Sequence, residues 1–165
     1  RKYAYDDSPM PIPGGATISA MHMHAIILSE LDPKPGDRIL EVGAGSGILL
    51  AYLKELVSKG GFVAGTEIKK ETYEFAKQNL KKTGYEVVLE NCDGSKGYPR
   101  HSPYDKIIIS AACEKIPDKL LSELKDNGKL VAPVGKPYQK LILLEKRGGK
   151  MLEKDLGWVV FVPLE

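Results

Sequence analysis

The chain has few of the residues that staple or anchor a small protein. Its 165 residues include two cysteines, Cys92 and Cys113, and three histidines. Two thiols make neither a disulfide framework nor a zinc spacing, so they read as reduced, partly buried side chains and no metal site is expected. No apolar run approaches the roughly 18 residues that a membrane span needs, and no signal-peptide pattern opens the sequence. The net charge is only +2, with acids and bases interspersed, which argues against a nucleic acid or a membrane as partner. Internal repeats and low-complexity stretches are missing too. Tryptophan occurs once, at Trp158, and reads as a core or strand-face aromatic. These absences leave a soluble, cytoplasmic, globular protein. A hydrophobic share of 42% and a charged share of 28% suit a single domain over residues 1–165 with a sizeable core.

What is present is concentrated in residues 38–57. Arg38 to Val42 reads as a short buried strand, Gly43, Gly45 and Gly47 as a turn, and Ile48 to Val57 as a Leu-rich helix. Strand, glycine turn, helix is how an α/β sheet makes a nucleotide crevice at the carboxyl end of a strand. Glycine lets the backbone approach a ligand where a side chain would collide. The spacing is G-x-G-x-G, and Ile48 stands where a dinucleotide fingerprint would place its third glycine. Glu41, two residues before Gly43, would repel a pyrophosphate but suits an ammonium or a sulfonium. Taken alone, the turn also fits a plain strand-to-helix connection. With Glu41 it resembles the E-x-G-x-G-x-G first motif of class I methyltransferases, whose donor S-adenosylmethionine carries both cations.

Residues 1–16, with Pro9, Pro11, Pro13, Gly14 and Gly15, read as a surface loop, either linker or functional lid. Thr17 or Ser19 is placed to cap a helix from about Ala20 to Leu31, with Met23, Ile26, Ile27 and Leu31 on its apolar face. Gly61 to Glu67 reads as a second strand and Lys70 to Thr83 as a helix with Tyr73, Ala76 and Leu80 inward, stopped by Gly84. Glu86 to Glu90 is a third strand. Tyr104 to Ser110, with its Ile107-Ile108-Ile109 run, is a fourth, central one buried on both faces. A helix over Ile116 to Leu124 closes at Asp126-Asn127-Gly128, and a fifth strand spans Lys129 to Val134. Gln139 to Lys146 and Trp158 to Pro163 read as two final strands joined near Gly148-Gly149. The pattern predicts an α/β, Rossmann-like, doubly wound and mostly parallel seven-stranded sheet with an antiparallel edge pair.

Glu67 ends the second strand, where nucleotide-binding folds hold an acid for ribose hydroxyls; a solvated strand-end Glu is the plainer alternative. Asp93-Gly94 follows the third strand, where Asp93 can accept an adenine amino group and Gly94 can let the ring approach; a plain Asp-Gly turn is the alternative. Glu41, Glu67 and Asp93 are expected to converge at three strand tips on one crevice. His22 and His24 are two apart, so they do not share a helix face. One is expected to pack and the other to point toward the crevice.

The stretch Thr17-Ile18-Ser19-Ala20-Met21-His22-Met23-His24-Ala25 resembles the T-I-S-A-P-H-M-H-A signature of protein-L-isoaspartate O-methyltransferases. Tyr5-x-Asp7-x-Pro9-x-Pro11-Ile12, Asp93-Gly94-Ser95-Lys96-Gly97-Tyr98, Pro103-Tyr104-Asp105, Gly128 to Gly135 and Phe161-Val162-Pro163-Leu164 fit the same family. Gly15 replaces a frequent Gln and Met21 the signature Pro, both in the substrate loop. The helical segment that usually opens the family's sequences is expected to be absent before Arg1.

The resemblance implies methyl transfer from S-adenosylmethionine, leaving S-adenosylhomocysteine, to the free α-carboxylate of L-isoaspartyl residues in damaged proteins. The ester then collapses to a succinimide. It implies Ser19 and Thr17 as catalytic residues, Ser19 bonding the attacking carboxylate and Thr17 supporting the loop. Ala16, Ile18, His24, Ala44, Glu67, Ile68, Asp93 and Gly94 match family cofactor contacts, and Glu41, Gly43, Gly45 and Gly47 come from the shared fold motif. Isoaspartyl proteins would be the partners of a monomer, with backbone pairing along the loop holding varied peptides. Two other readings stand beside it. One is a methyltransferase for another carboxylate; the other is a non-catalytic, cofactor-binding adaptor of the same fold.

Overall fold

In a computed structural model describing residues 6–165, seven strands form one sheet with helices on both faces. Tyr5 lies outside the described residues. The sheet strands are β3 (Arg38–Val42), β4 (Phe62–Thr66), β5 (Val88–Glu90), β6 (Tyr104–Ile109), β7 (Leu124–Val134), β8 (Gln139–Arg147) and β9 (Lys150–Val159), and β1 (Met10–Ile12) and β2 (Ala16–Ile18) stand apart as a hairpin. Strand order is β5-β4-β3-β6-β7-β8-β9. β3 runs parallel to β4 and β6, β4 to β5, and β6 to β7. β7, β8 and β9 pair antiparallel, which makes the expected edge. β6 is the fourth of seven, in the centre as its isoleucine run predicts.

Strand alternation sorts the core into two layers. Leu40, Val42, Ile107, Ile109 and Leu120 pack on one side, and Ile39, Leu50, Leu53, Ile108 and Val131 on the other. Each such fully buried side chain contributes about 1.5–3 kcal/mol. The helices are α1 (Met21–Leu31), α2 (Ile48–Val57), α3 (Lys70–Thr83) and α4 (Asp118–Glu123). α2 buries Leu49, Leu50, Leu53 and Val57. At Gly65 a side chain would come within 2.7 Å of Leu50 Cδ1, so the missing group lets α2 sit close on β4. α3 stops where Gly84 turns left-handed at φ 79°. Among the described residues no helix is long and apolar enough to cross a membrane.

Several expectations are corrected. Where a loop is expected up to residue 16, residues 10–18 form the β1–β2 hairpin, pairing Pro11 with Thr17, and Thr72 Oγ1 on α3 donates to Pro13 O at 2.9 Å. α1 is capped by Ala20, with no side-chain cap from Thr17 or Ser19. Its buried residues are His24, Ile27 and Leu31, while Ile26 is exposed. On α3, Thr72 takes the buried place expected of Tyr73. Asp126-Asn127-Gly128 lies inside β7 as a register shift, Asn127 being left-handed at φ 62°. The last strand is Lys150–Val159, ahead of the expected Trp158 to Pro163.

Candidate active site

The turn after β3 is shaped by its glycines and pinned from β4. Gly43, Gly45 and Gly47 have φ of 85°, 56° and 81°, a left-handed region that side-chain-bearing residues avoid. Gly43 N and Ala44 N both donate to Thr66 O, at 2.9 and 3.0 Å. Gly45 N donates to Glu67 Oε2 at 3.0 Å, and Lys69 N to Glu67 Oε1 at 3.0 Å. Glu67 is thus buried just past β4, bound to the glycine turn through one oxygen and to its own chain through the other. The hairpin lies across this turn: a side chain at Gly45 would meet Ile12 Cδ1 at 3.8 Å and Thr17 O at 4.0 Å.

A cleft of about 290 Å³ opens beside the turn. Its walls include Gly43, Gly45, Glu67, Ile68, Asp93, Gly94 and Ser110. Asp93 accepts from Ser95 N at 3.0 Å and Ser95 Oγ at 2.6 Å, and Lys96 Nζ lies 3.0 Å away. The Ser95 bond first, then Lys96, hold its carboxyl below the usual range. Gly94 lines the cleft, but a side chain there would collide with Thr66 Oγ1 and come within 2.8 Å of Val42 Cγ1. The sheet beneath therefore demands this glycine. Residues 162–165 close the far wall. Ala112 N donates to Val162 O and Leu164 N to Ala112 O, both at 2.8 Å, and Lys69 Nζ pairs with Glu165 at 2.8 Å.

Glu41 sits apart from the other two acids. It is one residue inside β3, opposite Gly65 and Ile108, and 2% exposed. It lines a separate cavity of about 30 Å³ with His24, Ser19, Gly43, Ala44 and Ser110. The expected convergence of three strand-tip acids thus holds for Glu67 and Asp93 alone. Glu41 Oε1 accepts from Ser110 Oγ at 2.8 Å, while its Oε2 has no partner. Burial pushes its carboxyl up to about 8, the nearby Glu67 adds to this, and the Ser110 bond opposes it. His24 is buried with Nδ1 unpartnered, and burial lowers its pKa, keeping the ring neutral. Two orphaned polar atoms face a space large enough for one water-sized polar group.

A second cleft of about 410 Å³ lies on the hairpin side. Asp7, Thr17, Ser19, His22, Ser110 and Trp158 are among its walls. Thr17 and Ser19, which do not cap α1, line this cleft. His22 N donates to Asp7 Oδ1 at 2.9 Å and its Nδ1 lies 2.9 and 3.0 Å from the two Asp7 oxygens, clasping the chain at residue 7 to the start of α1. The Asp7 carboxyl is held low by His22, first through the backbone bond. Of the two histidines, His24 packs and His22 borders this cleft. Thr17, Ser110 and Val162 border both clefts, so the two meet there. Of the remaining expected contacts, Ile18 and Ala44 line the small cavity, Gly47 caps α2, and Ala16 is half-buried on β2.

Ser110 and residues 158–165 join the site without being expected there from the sequence. For Ser110 the signal was available: a lone hydroxyl directly after Ile107-Ile108-Ile109, at the carboxyl tip of the central strand.

Comparison with known proteins agrees with this architecture. The family model described as protein-L-isoaspartate(D-aspartate) O-methyltransferase (PCMT) matches residues 1–165. The protein-L-isoaspartate O-methyltransferase of Methanococcus aeolicus is 50% identical over 163 residues, covering 98% of this chain and 76% of that protein. Its namesake in Methanopyrus kandleri is 48% identical over 168 residues, covering 99% and 74%. A solved protein-L-isoaspartate O-methyltransferase superposes with a TM-score of 0.91 at 26% identity, covering 98% of this chain and 54% of that one. A beta-aspartate methyltransferase (PCMT) from Plasmodium falciparum, solved with S-adenosyl-L-homocysteine, gives 0.86 at 30% identity, covering 98% and 81%.

Proposed function

The chain belongs to the protein-L-isoaspartate O-methyltransferase family, and from this we infer its reaction: methyl transfer from S-adenosylmethionine to the free α-carboxylate of L-isoaspartyl residues in damaged proteins. The methyl ester that results collapses to a succinimide without further catalysis. The observation that carries this reading is the meeting of two clefts at Thr17 and Ser110. One cleft suits a nucleoside-bearing donor and the other a polypeptide carboxylate.

The residues present fit the donor. Glu67 has spent one lone pair of each oxygen on backbone amides, which leaves two for ribose hydroxyls. Asp93 stands ready to accept an exocyclic amino group. The unpartnered oxygen of Glu41 and the unpartnered nitrogen of His24 suit a small cationic head such as the donor's ammonium, whose charge would favour release of the Glu41 proton. Gly43, Ala44 and Gly45 offer close backbone approach, with Ala16, Ile18, Ile68 and Gly94 completing the cradle. When bound, S-adenosylmethionine supplies an electrophilic methyl group on a sulfonium.

The substrate carboxylate is ionised at neutral pH, so the protein needs no strong base. Ser19 donates a hydrogen bond to that carboxylate and aims it. Thr17 holds the hairpin against the glycine turn. The hairpin and residues 162–165 exclude water from the meeting point, which favours a step that destroys charge, and the fixed approach supplies proximity.

One domain carries both clefts, with the segment up to residue 16 as its substrate-side wall. The proposed setting is a cytoplasmic monomer acting on isoaspartyl proteins; a net charge of only +2 argues against nucleic acid as a partner. The test is transfer of a labelled methyl group from S-adenosylmethionine to a short L-isoaspartyl peptide, with the normal aspartyl peptide as control. Transfer to the isoaspartyl form alone, falling in Ser19→Ala by about 10-fold or more, is expected. Tight cofactor binding without transfer would instead indicate an adaptor, and transfer to unrelated carboxylates a different substrate.

A further inference from the structure

The three most exposed large apolar side chains among the described residues gather at one place. Val160 is 93% exposed, Tyr138 79% and Trp158 71%. Trp158 and Val160 line the hairpin-side cleft together with Ser19. Tyr138 stands edge-on to Trp158, ring centroids 6.4 Å apart at 79°. Lys140 Nζ lies 5.0 Å over the Trp158 ring, and Asp155 neutralises it at 2.5 Å.

A tryptophan exposed at the lip of a cleft and braced by a second aromatic is surface for a substrate to cover. The rest of β9 is different. Lys150, Glu153, Lys154 and Asp155 put charge along this edge strand, which discourages another strand from pairing with it. The apolar surface is therefore confined to the cleft mouth. A polypeptide whose isoaspartyl carboxylate lies at Ser19 has to leave the cleft past some part of that mouth. An extended peptide advances about 3.3 Å per residue, so in a cleft of about 410 Å³ the residues one or two positions away reach the rim.

We propose that Trp158, Tyr138 and Val160 form a subsite for an aromatic or aliphatic side chain flanking the isoaspartyl residue. The protein thereby ranks damaged sites by their apolar neighbours. The subsite rests on the reading of the hairpin-side cleft as the substrate cleft. Asp155 pairs with Lys140 beside Trp158, so this cation is not left free to draw an acidic neighbour, and an apolar one is preferred.

Trp158 is the chain's sole tryptophan, so its fluorescence reads the subsite directly, with or without turnover. The experiment titrates short peptides carrying one isoaspartyl residue flanked on either side by Phe, Leu or Gly, in the presence of S-adenosylhomocysteine. Phe- or Leu-flanked peptides are expected to shift the emission to the blue and to bind about fivefold or more tightly than Gly-flanked ones. In Trp158→Ala the KM gap between the peptides closes to within about twofold, and Trp158→Tyr keeps most of it. Emission that stays unchanged while a peptide saturates the cleft overturns the subsite, as does an apolar preference that survives Trp158→Ala. Failure to methylate any isoaspartyl peptide overturns the reaction instead; a saturable blue shift in that case upholds the subsite, and the absence of both overturns both.

Discussion

On the glycine-turn side, the cleft is walled by main chain and by a buried acid that parallel strands hold in place. Glu67 is gripped by Gly45 N and Lys69 N, and Gly94 is wedged against Thr66 and Val42. On the hairpin side, the walls are exposed or half-buried side chains, Asp7, Thr17 and Ser19 from one stretch of the sequence and Trp158 to Val162 from another. The first wall is stiff because its parts also hold the sheet together. The second can vary without disturbing the core. On the proposed function, an invariant cofactor meets the first wall and varied polypeptides meet the second.

Replacing Glu67 tests the stiff wall most severely. Glu67→Ala removes the acceptor of two charge-assisted hydrogen bonds, each worth about 1.5–3 kcal/mol, and should weaken S-adenosylhomocysteine binding by about 100-fold or more. Calorimetry checks this, and an unchanged affinity would erase the contrast between the two walls. Gly94→Ala should cost about 1–3 kcal/mol of stability through overpacking. Urea denaturation would show it as a lower midpoint at constant slope.

Glu41 makes a pH-dependent version of the same point. Its carboxyl keeps its proton up to about 8 when folded, against an ordinary 4.5. The folded protein thus holds this proton more tightly than the unfolded chain. Its contribution to stability is complete below pH 4.5 and is lost as pH rises toward 8, at up to about 1.4 kcal/mol per pH unit. Glu41→Gln should lack that decline. Urea melts of both proteins at pH 5 and pH 8 give the difference, and parallel behaviour would count against a buried, protonated Glu41.

The smallest effect belongs to the exposed wall. Asp7→Asn weakens the clasp to His22, whose partners are both more than half exposed. KM for an isoaspartyl peptide should rise by less than about fivefold, with cofactor affinity untouched. A matching loss of cofactor affinity would mean that the two walls are not independent.

The stiff wall was also the legible one. Arg38–Val42, Ile48–Val57 and Lys70–Thr83 follow from their apolar pattern and glycine stops to the residue, because packing and punctuation agree there. The hairpin escaped notice because two three-residue strands around Pro13-Gly14-Gly15 are too short to show a period. β9 was placed too late because Glu153, Lys154 and Asp155 interrupt any apolar alternation. The turn at Asp126-Asn127-Gly128 was recognised by its residues, but the chain re-joins the same strand after it. Glu41 was legible as a motif. Its burial was not, because alternation along β3 decides which face an acid takes only once the neighbours β4 and β6 are known.

Residues 162–165 wall the cleft beside the glycine turn and are tied across it by the Ala112 and Lys69 contacts. They also leave the ribosome after every strand of the sheet has been synthesised. Translation order therefore separates folding from binding: a nascent chain can set its sheet in register before a complete cavity exists. A ligand of this cleft therefore meets its full set of walls only once residues 162–165 have joined them.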